Sequence, residues 1–540
     1  MKLRNPDFIS IFSENGNARQ SGERVVLGDA SACTEQTGSS LVLKVTAQST
    51  LLRYVRVRWN FTDEEKRDKP VRVLGDEWER GYGQMEWRGI MAERCMPWVC
   101  MVSDGSDLDR CTADRFTECF GVKTRASALC FWQYDGNGVT LWADIRNGGS
   151  GVQLNGRVLT ACEIVFGEYC GVSAFRAIGS FYKGLNDRVL TTDHRVYGSN
   201  NWYYAYGSSS HEQICADTEL VTALCRGLEN RPYMVIDDGW EPNSLDGPWD
   251  RGNERFPDMK GLAEEIKKRG ARPGIWVRYL SDAHYALKDL PEGSRLSRDD
   301  HYLDPSHPYV LDMTARITRR FSEQWGYQLI KHDFSTFDVF GFWGFQRPET
   351  LTDDGWHFFD RTKTGAEIIV NFYRTIYESA APGTVIIGCN TIGHLTAGLA
   401  HLNRVGDDTS GLFWERTRKY GVNTLAFRMV HDKAFYAADS DCVGITGRYP
   451  LHPLNSEWLR ALSVSGTPLF ISCKPGILNE DELKELSEAY ARASVSAPCE
   501  LEPLDWMETT CPERWLLNGE EIRFDWYPED GDTGFWPDQR

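Results

Sequence analysis

The sequence predicts an α/β protein: a (β/α)8 TIM barrel with an N-terminal β-sandwich domain and a small C-terminal β-sheet domain. Three observations carry this prediction. Between residues 195 and 494, eight short strand-like runs alternate with longer amphipathic stretches, in the number and size that suit a (β/α)8 barrel. Residues 1–194 instead hold short alternating runs, many separated by Gly, Asn and Asp, with little helical periodicity. Residues 495–540 turn polar and strand-like again, with Trp506, Trp515 and Trp526. At 540 residues the chain is too long for one ordinary core, so several domains are expected. An open, doubly wound sheet is the competing arrangement for the middle segment.

In the first segment the strand runs include Val25-Val26-Leu27, Ser40 to Val45, Leu52 to Trp59 and Val139 to Ala143, with a turn at Asp135-Gly136-Asn137-Gly138. An antiparallel sandwich is the natural reading. In the second, strands are expected at 202–206, 233–236, 272–279, 327–330, 384–388, 402–405, 434–437 and 468–472. Helices are expected at 219–228, 261–269, 309–324, 364–378, 417–431, 456–463 and 480–492. No internal repeat or low-complexity stretch interrupts this order.

Composition narrows the function. The formal charge is −18, which disfavours nucleic acid as a partner, because phosphate contact wants a basic surface. No run approaches membrane-spanning length, and the first residues lack the apolar centre of a signal peptide. The 15 Cys are odd in number and scattered, as expected of reduced thiols in a cytoplasmic protein. A metal site is not expected; His394 and His401 lie seven apart, a poor ligand spacing. The 19 Trp and 22 Tyr suit sugar stacking and equally fill β cores. A small-molecule carbohydrate is the expected partner, and a homo-oligomer stays open.

In a barrel the chemistry sits at the carboxyl ends of the strands. There the sequence places Asp237-Asp238-Gly239-Trp240, Lys331-His332-Asp333, Arg404-Val405-Gly406-Asp407-Asp408 and Asp439-Ser440-Asp441. Any one of these carboxylates can be a helix N-cap instead. Together they supply the two carboxylates that glycoside hydrolysis requires. Asp333, with Lys331 on the same strand face, is expected to stay ionised and act as nucleophile. Asp408, beside Asp407 and facing Asp333, is expected to carry a raised pKa and deliver a proton. Arg404 is expected to aim at substrate hydroxyls, Asp237 and Asp238 to accept hydrogen bonds from them, and Trp240 or Trp276 to stack on the ring. A second Asp353-Asp354-Gly355-Trp356 follows a loop and is read as turn chemistry.

These strings resemble the α-galactosidases of clan D, more closely glycoside hydrolase family 36 than family 27. The resemblance rests on Asp237-Asp238-Gly239-Trp240, Asn253 to Pro257 with Gly261-Leu262, Gly274-Ile275-Trp276, Lys331-His332-Asp333, Arg404 to Asp408, Asp439 to Asp441, and Trp78-Glu79-Arg80-Gly81-Tyr82-Gly83 upstream. It implies a retaining exo-α-galactosidase without metal or organic cofactor. Asp333 would be nucleophile and Asp408 acid/base. Asp237 and Asp238 would bind the 4- and 6-hydroxyls, Lys331 the 3- and 4-hydroxyls, and Arg404 the 2-hydroxyl. A family C-x-x-G-G stretch reads Cys389-Asn390-Thr391-Ile392-Gly393 here. That leaves N-acetylgalactosamine open as the sugar, with Asn390 a polar candidate at its 2-position. Transfer to a sugar acceptor, as in raffinose synthases, and binding without catalysis are the other readings.

Overall fold

The computed structural model describes residues 1–66, 70–105, 116–445, 453–496 and 500–527. The part of the expected C-terminal segment at 497–499 and 528–540 lies outside them.

Two antiparallel sheets form the N-terminal sandwich. One runs in the order Gly16–Ser21, Phe8–Ser13, Leu52–Asn60, Gly138–Asp144, Leu129–Tyr134, Met96–Pro97. The other runs Arg24–Leu27, Ala30–Thr37, Ser40–Thr46, Leu159–Cys170, Phe116–Val122, Val99–Ser103, Arg72–Gly75. Alternation drives this packing: Val55, Val57 and Trp59 on one strand all face inward and are fully buried. Trp59 and Trp132 from the first sheet meet Phe120 and Phe166 from the second, with Trp59 and Phe166 ring centres 5.2 Å apart.

One helix interrupts the region read as β throughout. Ala174–Leu185 starts at Ser173, whose side chain caps Arg176 N–H. It lays Phe181 into a slot over Gly121 and Gly167 of the adjoining strands, where a Cβ at either glycine would come within 2.9 Å of the ring.

The barrel follows. Its strands are β1 Tyr197–Asn200, β2 Tyr233–Ile236, β3 Arg272–Val277, β4 Leu329–His332, β5 Val385–Gly388, β6 Leu402–Arg404, β7 Ala437–Asp439, β8 Cys442–Ile445 and β9 Leu469–Cys473. All pair in parallel, in the order β7-β6-β5-β4-β3-β2-β1-β9-β8. The two ends of this row, β7 and β8, are separated in the chain by Ser440 and Asp441 alone. The row therefore curls back on itself, and one broken strand serves as the seventh stave. Asp441 makes the break with φ +72°, a left-handed conformation uncommon outside glycine.

The first strand was expected at 202–206, and the structure corrects this. Trp202–Ala205 is a short helix, and the strand is the preceding Tyr-Gly-Ser-Asn. Aromatic propensity favours a strand at 202–206, yet pairing with both β2 and β9 selects the polar run. The seventh strand likewise begins at Ala437, where expectation ended it. A three-stranded antiparallel sheet, Leu501–Pro503, Arg514–Leu517 and Glu520–Arg523, closes the described chain, with Trp515 and Trp526 buried beside it.

Candidate active site

Seven strand ends and one sandwich loop meet at the carboxyl rim of the barrel. Asp333 follows β4 directly, and its N–H donates to Val277 O of β3 at 3.0 Å. The next residue, Phe334, takes φ +60°, which is costly for a bulky side chain. That turn aims the Phe334 N–H back at Asp333 Oδ1, 2.7 Å away. The Trp276 indole N–H reaches Asp333 Oδ2 at 3.2 Å. Burial pushes the Asp333 carboxyl up. The guanidinium of Arg80, then the ammonium of Lys331 and these two donors, outweigh burial and hold it below the usual range.

Lys331 helps to keep Asp333 ionised, as expected, but its direct partner is another carboxylate. The Lys331 ammonium donates to Asp237 Oδ2 at 2.7 Å, and the same oxygen accepts from Asn200 Nδ2 at 2.7 Å. Lys331 acts on Asp333 only at longer range. Alternation on β4 puts residues 331 and 333 on one face, but the nearest carboxylate across the barrel is supplied by β2.

Arg80 was not among the expected site residues. It sits on the loop Trp78 to Gly83, which leaves the sandwich and enters the barrel mouth. Gly81 N–H donates to Val405 O at 2.8 Å, and Asp407 N–H donates to Gly81 O at 3.0 Å. A Cβ at the facing Gly406 would lie 2.1 Å from Tyr420 O, so only glycine fits. From there Arg80 reaches Asp407 at 2.8 Å and Asp408 at 3.4 Å. Its guanidinium also lies 5.6 Å from the ring centre of Trp343. The Trp-Glu-Arg-Gly-Tyr-Gly string was visible in the sequence, but no local signal brings residue 80 to residue 408.

The raised pKa expected for Asp408 is overturned. Burial does push it up, but Arg80, Arg404 and Lys331 bring it down to about 2. Arg404 Nη2 donates to Asp408 Oδ1 at 3.3 Å. Arg404 is not aimed outward either. Its other contacts are Asp441 Oδ1 at 3.0 Å, Gly406 O at 3.2 Å and Cys389 Sγ at 3.6 Å. Asp441 is in turn held by Thr409 N–H at 2.8 Å and by the Tyr203 hydroxyl. Cys389 lies between Arg80 and Arg404, and burial pushes its thiol up.

Asp238 is fastened to its own loop. Its oxygens accept from Leu245 N–H at 2.6 Å and Ser244 Oγ at 2.9 Å. Beside it, burial and the neighbouring Asp238 carboxylate push the Glu241 carboxyl well above its usual range, and its oxygens accept from Gly239 N–H at 3.2 Å and Leu245 N–H at 3.0 Å. Asn390, expected near the sugar 2-position, is corrected: it is fully buried and gives its side-chain N–H to Glu79 of the sandwich loop. Trp240 is corrected too. It has no exposed surface, packs on Trp249, Phe321 and Trp325, and donates to Trp276 O at 3.0 Å. Trp276 is 1% exposed, so its contribution is the bond to Asp333 rather than a stacking face. Half-buried rings at this rim include Phe334 and Trp343, with Phe337 stacked on the latter.

No family model matches the sequence, and no curated protein matches it. Solved structures do. The α-galactosidase TtGalA from Thermus thermophilus, in complex with p-nitrophenyl α-D-galactopyranoside, superposes with a TM-score of 0.57 at 17% identity, covering 91% of this chain and 98% of that one. The GH36 α-galactosidase AgaA from Geobacillus stearothermophilus, in complex with 1-deoxygalactonojirimycin, gives 0.57 at 12% identity, covering 95% and 79%. An α-galactosidase from Lactobacillus brevis gives 0.58 at 14% identity, covering 91% and 73%. The sandwich-plus-barrel architecture is thus shared with GH36 α-galactosidases.

Proposed function

We propose that the protein is a retaining glycoside hydrolase acting on terminal α-galactosyl residues. The observation that carries this reading is at the rim: two half-buried carboxylates, Asp333 after β4 and Asp408 after β6, both under the charge of one guanidinium. The likeness to structures solved with galactosides and a galactose-like inhibitor supports the sugar.

In the first step an Asp333 oxygen attacks the anomeric carbon, the glycosidic C–O bond breaks, and the leaving oxygen takes a proton from Asp408. In the second, water attacks the anomeric carbon, Asp408 takes its proton, and Asp333 leaves. Arg80 and Arg404 keep Asp408 anionic before substrate enters, which suits the second step and opposes the first. Arg80 already lies nearer Asp407 than Asp408. For Asp408 to take up its proton from solvent, bound substrate would have to draw both Arg80 and Arg404 away from it. The Asp237–Lys331 pair at the base of the site would bind sugar hydroxyls. Asp238, saturated by its loop, would shape the same wall. Cys389 and Arg404, both almost fully buried, would back the wall beside the 2-position without reaching the sugar freely. A half-buried ring, Trp343 or Phe334, takes over the stacking role first assigned to Trp240 or Trp276.

The test is turnover of aryl α-glycosides differing at the 2- and 4-positions, with and without acceptor sugars. Galactosides should be cleaved with retention of configuration, and azide should restore product formation in an Asp333→Ala variant. Wild-type turnover by Asp333→Asn sinks the nucleophile assignment. Preference for a 2-acetamido sugar, or product only with an acceptor present, would replace the substrate or the reaction.

A further inference from the structure

We propose that His211, Cys215 and Glu265, on the outside of the barrel, form a binding site for a borderline-soft divalent cation of the zinc class. Helix His211–Leu224 starts after β1 and sets residues 211 and 215 one turn apart on the same face. Helix Met259–Lys268 packs beside it and brings up Glu265. One imidazole nitrogen, the Cys215 sulfur and one Glu265 oxygen all lie within 4.8 Å of one another. Cys215 Sγ is 3.8 Å from Glu265 Oε2. Around a tetrahedral zinc, with bonds of about 2.0–2.3 Å, neighbouring donors sit roughly 3.3–3.6 Å apart. The trio needs only small side-chain adjustments to close on an ion.

The donor set identifies the class of ion. Imidazole, thiolate and a single carboxylate select zinc-like metals, whereas magnesium and calcium take oxygen cages. Charge closes as well: thiolate and carboxylate balance the dication. The surroundings are already ordered for it. Arg269 holds Glu265 Oε2 at 2.5 Å and Glu219 Oε1 at 3.2 Å, so one carboxylate is oriented while the other offsets the arginine charge. The His211 imidazole has no hydrogen-bond partner among the described residues, and both it and Glu265 are half-exposed, which leaves the ion a way in. Binding replaces the Cys215 S–H bond with a metal–sulfur bond and releases one proton to solvent. Water fills the fourth position. The site ties two neighbouring helices together and uses none of the rim residues.

The experiment titrates the full-length chain with Co²⁺ and with Zn²⁺. The expected result is one saturable equivalent, a thiolate-to-cobalt charge-transfer band, and a higher melting temperature with Zn²⁺. Cys215→Ser should abolish the band, and His211→Ala and Glu265→Gln should each weaken binding by at least ~10-fold. Melting curves without metal show whether each variant folds. His211 is half-exposed, so His211→Ala keeps the test open if Cys215→Ser does not fold. No saturable binding, an unchanged band in Cys215→Ser, or Mg²⁺ binding as tightly as Zn²⁺ overturns the proposal.

Discussion

The chain contains the string Asp-Asp-Gly-Trp twice, at 237–240 and at 353–356, and the two copies come to different ends. Locally they are alike. Each glycine takes a left-handed φ, +100° at Gly239 and +91° at Gly355, and each tryptophan anchors the turn from inside. Their carboxylates meet different partners. Asp237 leaves β2 inside the barrel and meets the buried ammonium of Lys331. Asp354 lies on a loop facing the sandwich and meets Arg53 and, at 2.7 Å, Arg146, while Asp353 pairs with Arg347. Four residues specify a turn; the strand that precedes them and the cation that faces them specify the use.

Substitutions can break this comparison, beginning with the largest expected effect. Asp237→Asn strips a buried ammonium of its partner. It should cost about 3–5 kcal/mol of stability and cut kcat/KM on an aryl α-galactoside by at least ~100-fold. Urea unfolding and initial rates measure the two. Near-normal values for both would mean that the first string is only a turn, like the second.

Next comes Arg80→Met, which sharpens the link between sandwich and rim. Losing this guanidinium, the largest favourable charge on the nucleophile Asp333 as well as on Asp408, should raise both carboxyls, and ionisation of Asp333 sets the acid limb. The acid limb of the kcat/KM profile should move to higher pH, with folding preserved by far-UV circular dichroism. An unmoved limb would reduce Arg80 to a structural clamp.

That profile has to be read inside the range where the protein is folded. Burial holds His332 and His394 at about 4, against an ordinary 6.5. The unfolded chain therefore takes up protons first as pH falls. Stability from these neutral histidines is complete above about 6.5 and drains away toward pH 4, before the rim carboxylates titrate. Urea midpoints measured from pH 7 to pH 4 should fall over that interval. Constant midpoints would contradict it.

The smallest effect is expected from Asp354→Asn. Its carboxylate is largely exposed, and Arg146 keeps Asp144 at 2.6 Å as a second partner. Stability should change by no more than about 1 kcal/mol, with turnover unaltered. A large loss of activity would show that the sandwich interface governs the rim through this string as well.

Much of the fold was legible. Tyr233 to Ile236 is an uninterrupted apolar run between turn signals, and it is a strand buried on both faces. The capping pair Thr364 and Glu367 marks the start of helix Gly365–Ser379. Elements held by pairing were not legible. Tyr-Gly-Ser-Asn at 197–200 has no strand propensity of its own. The break at Ser440 and Asp441 exists because the barrel must close on both neighbours. At the site, the order of carboxylates along the rim could be read. The partner of Lys331, the tether on Asn390 and the burial of Trp240 could not. The His211, Cys215 and Glu265 trio escaped as well, because its third member sits on another helix.

The amino-acid order alone determined which residue types stand at each strand end, which turns they make and where acidic and basic groups are available. Only the folded molecule decided which charges face one another and which carboxylates stay ionised. Electrostatic energy depends on separation and burial, and the guanidinium that presses on Asp408 arrives from 328 residues away.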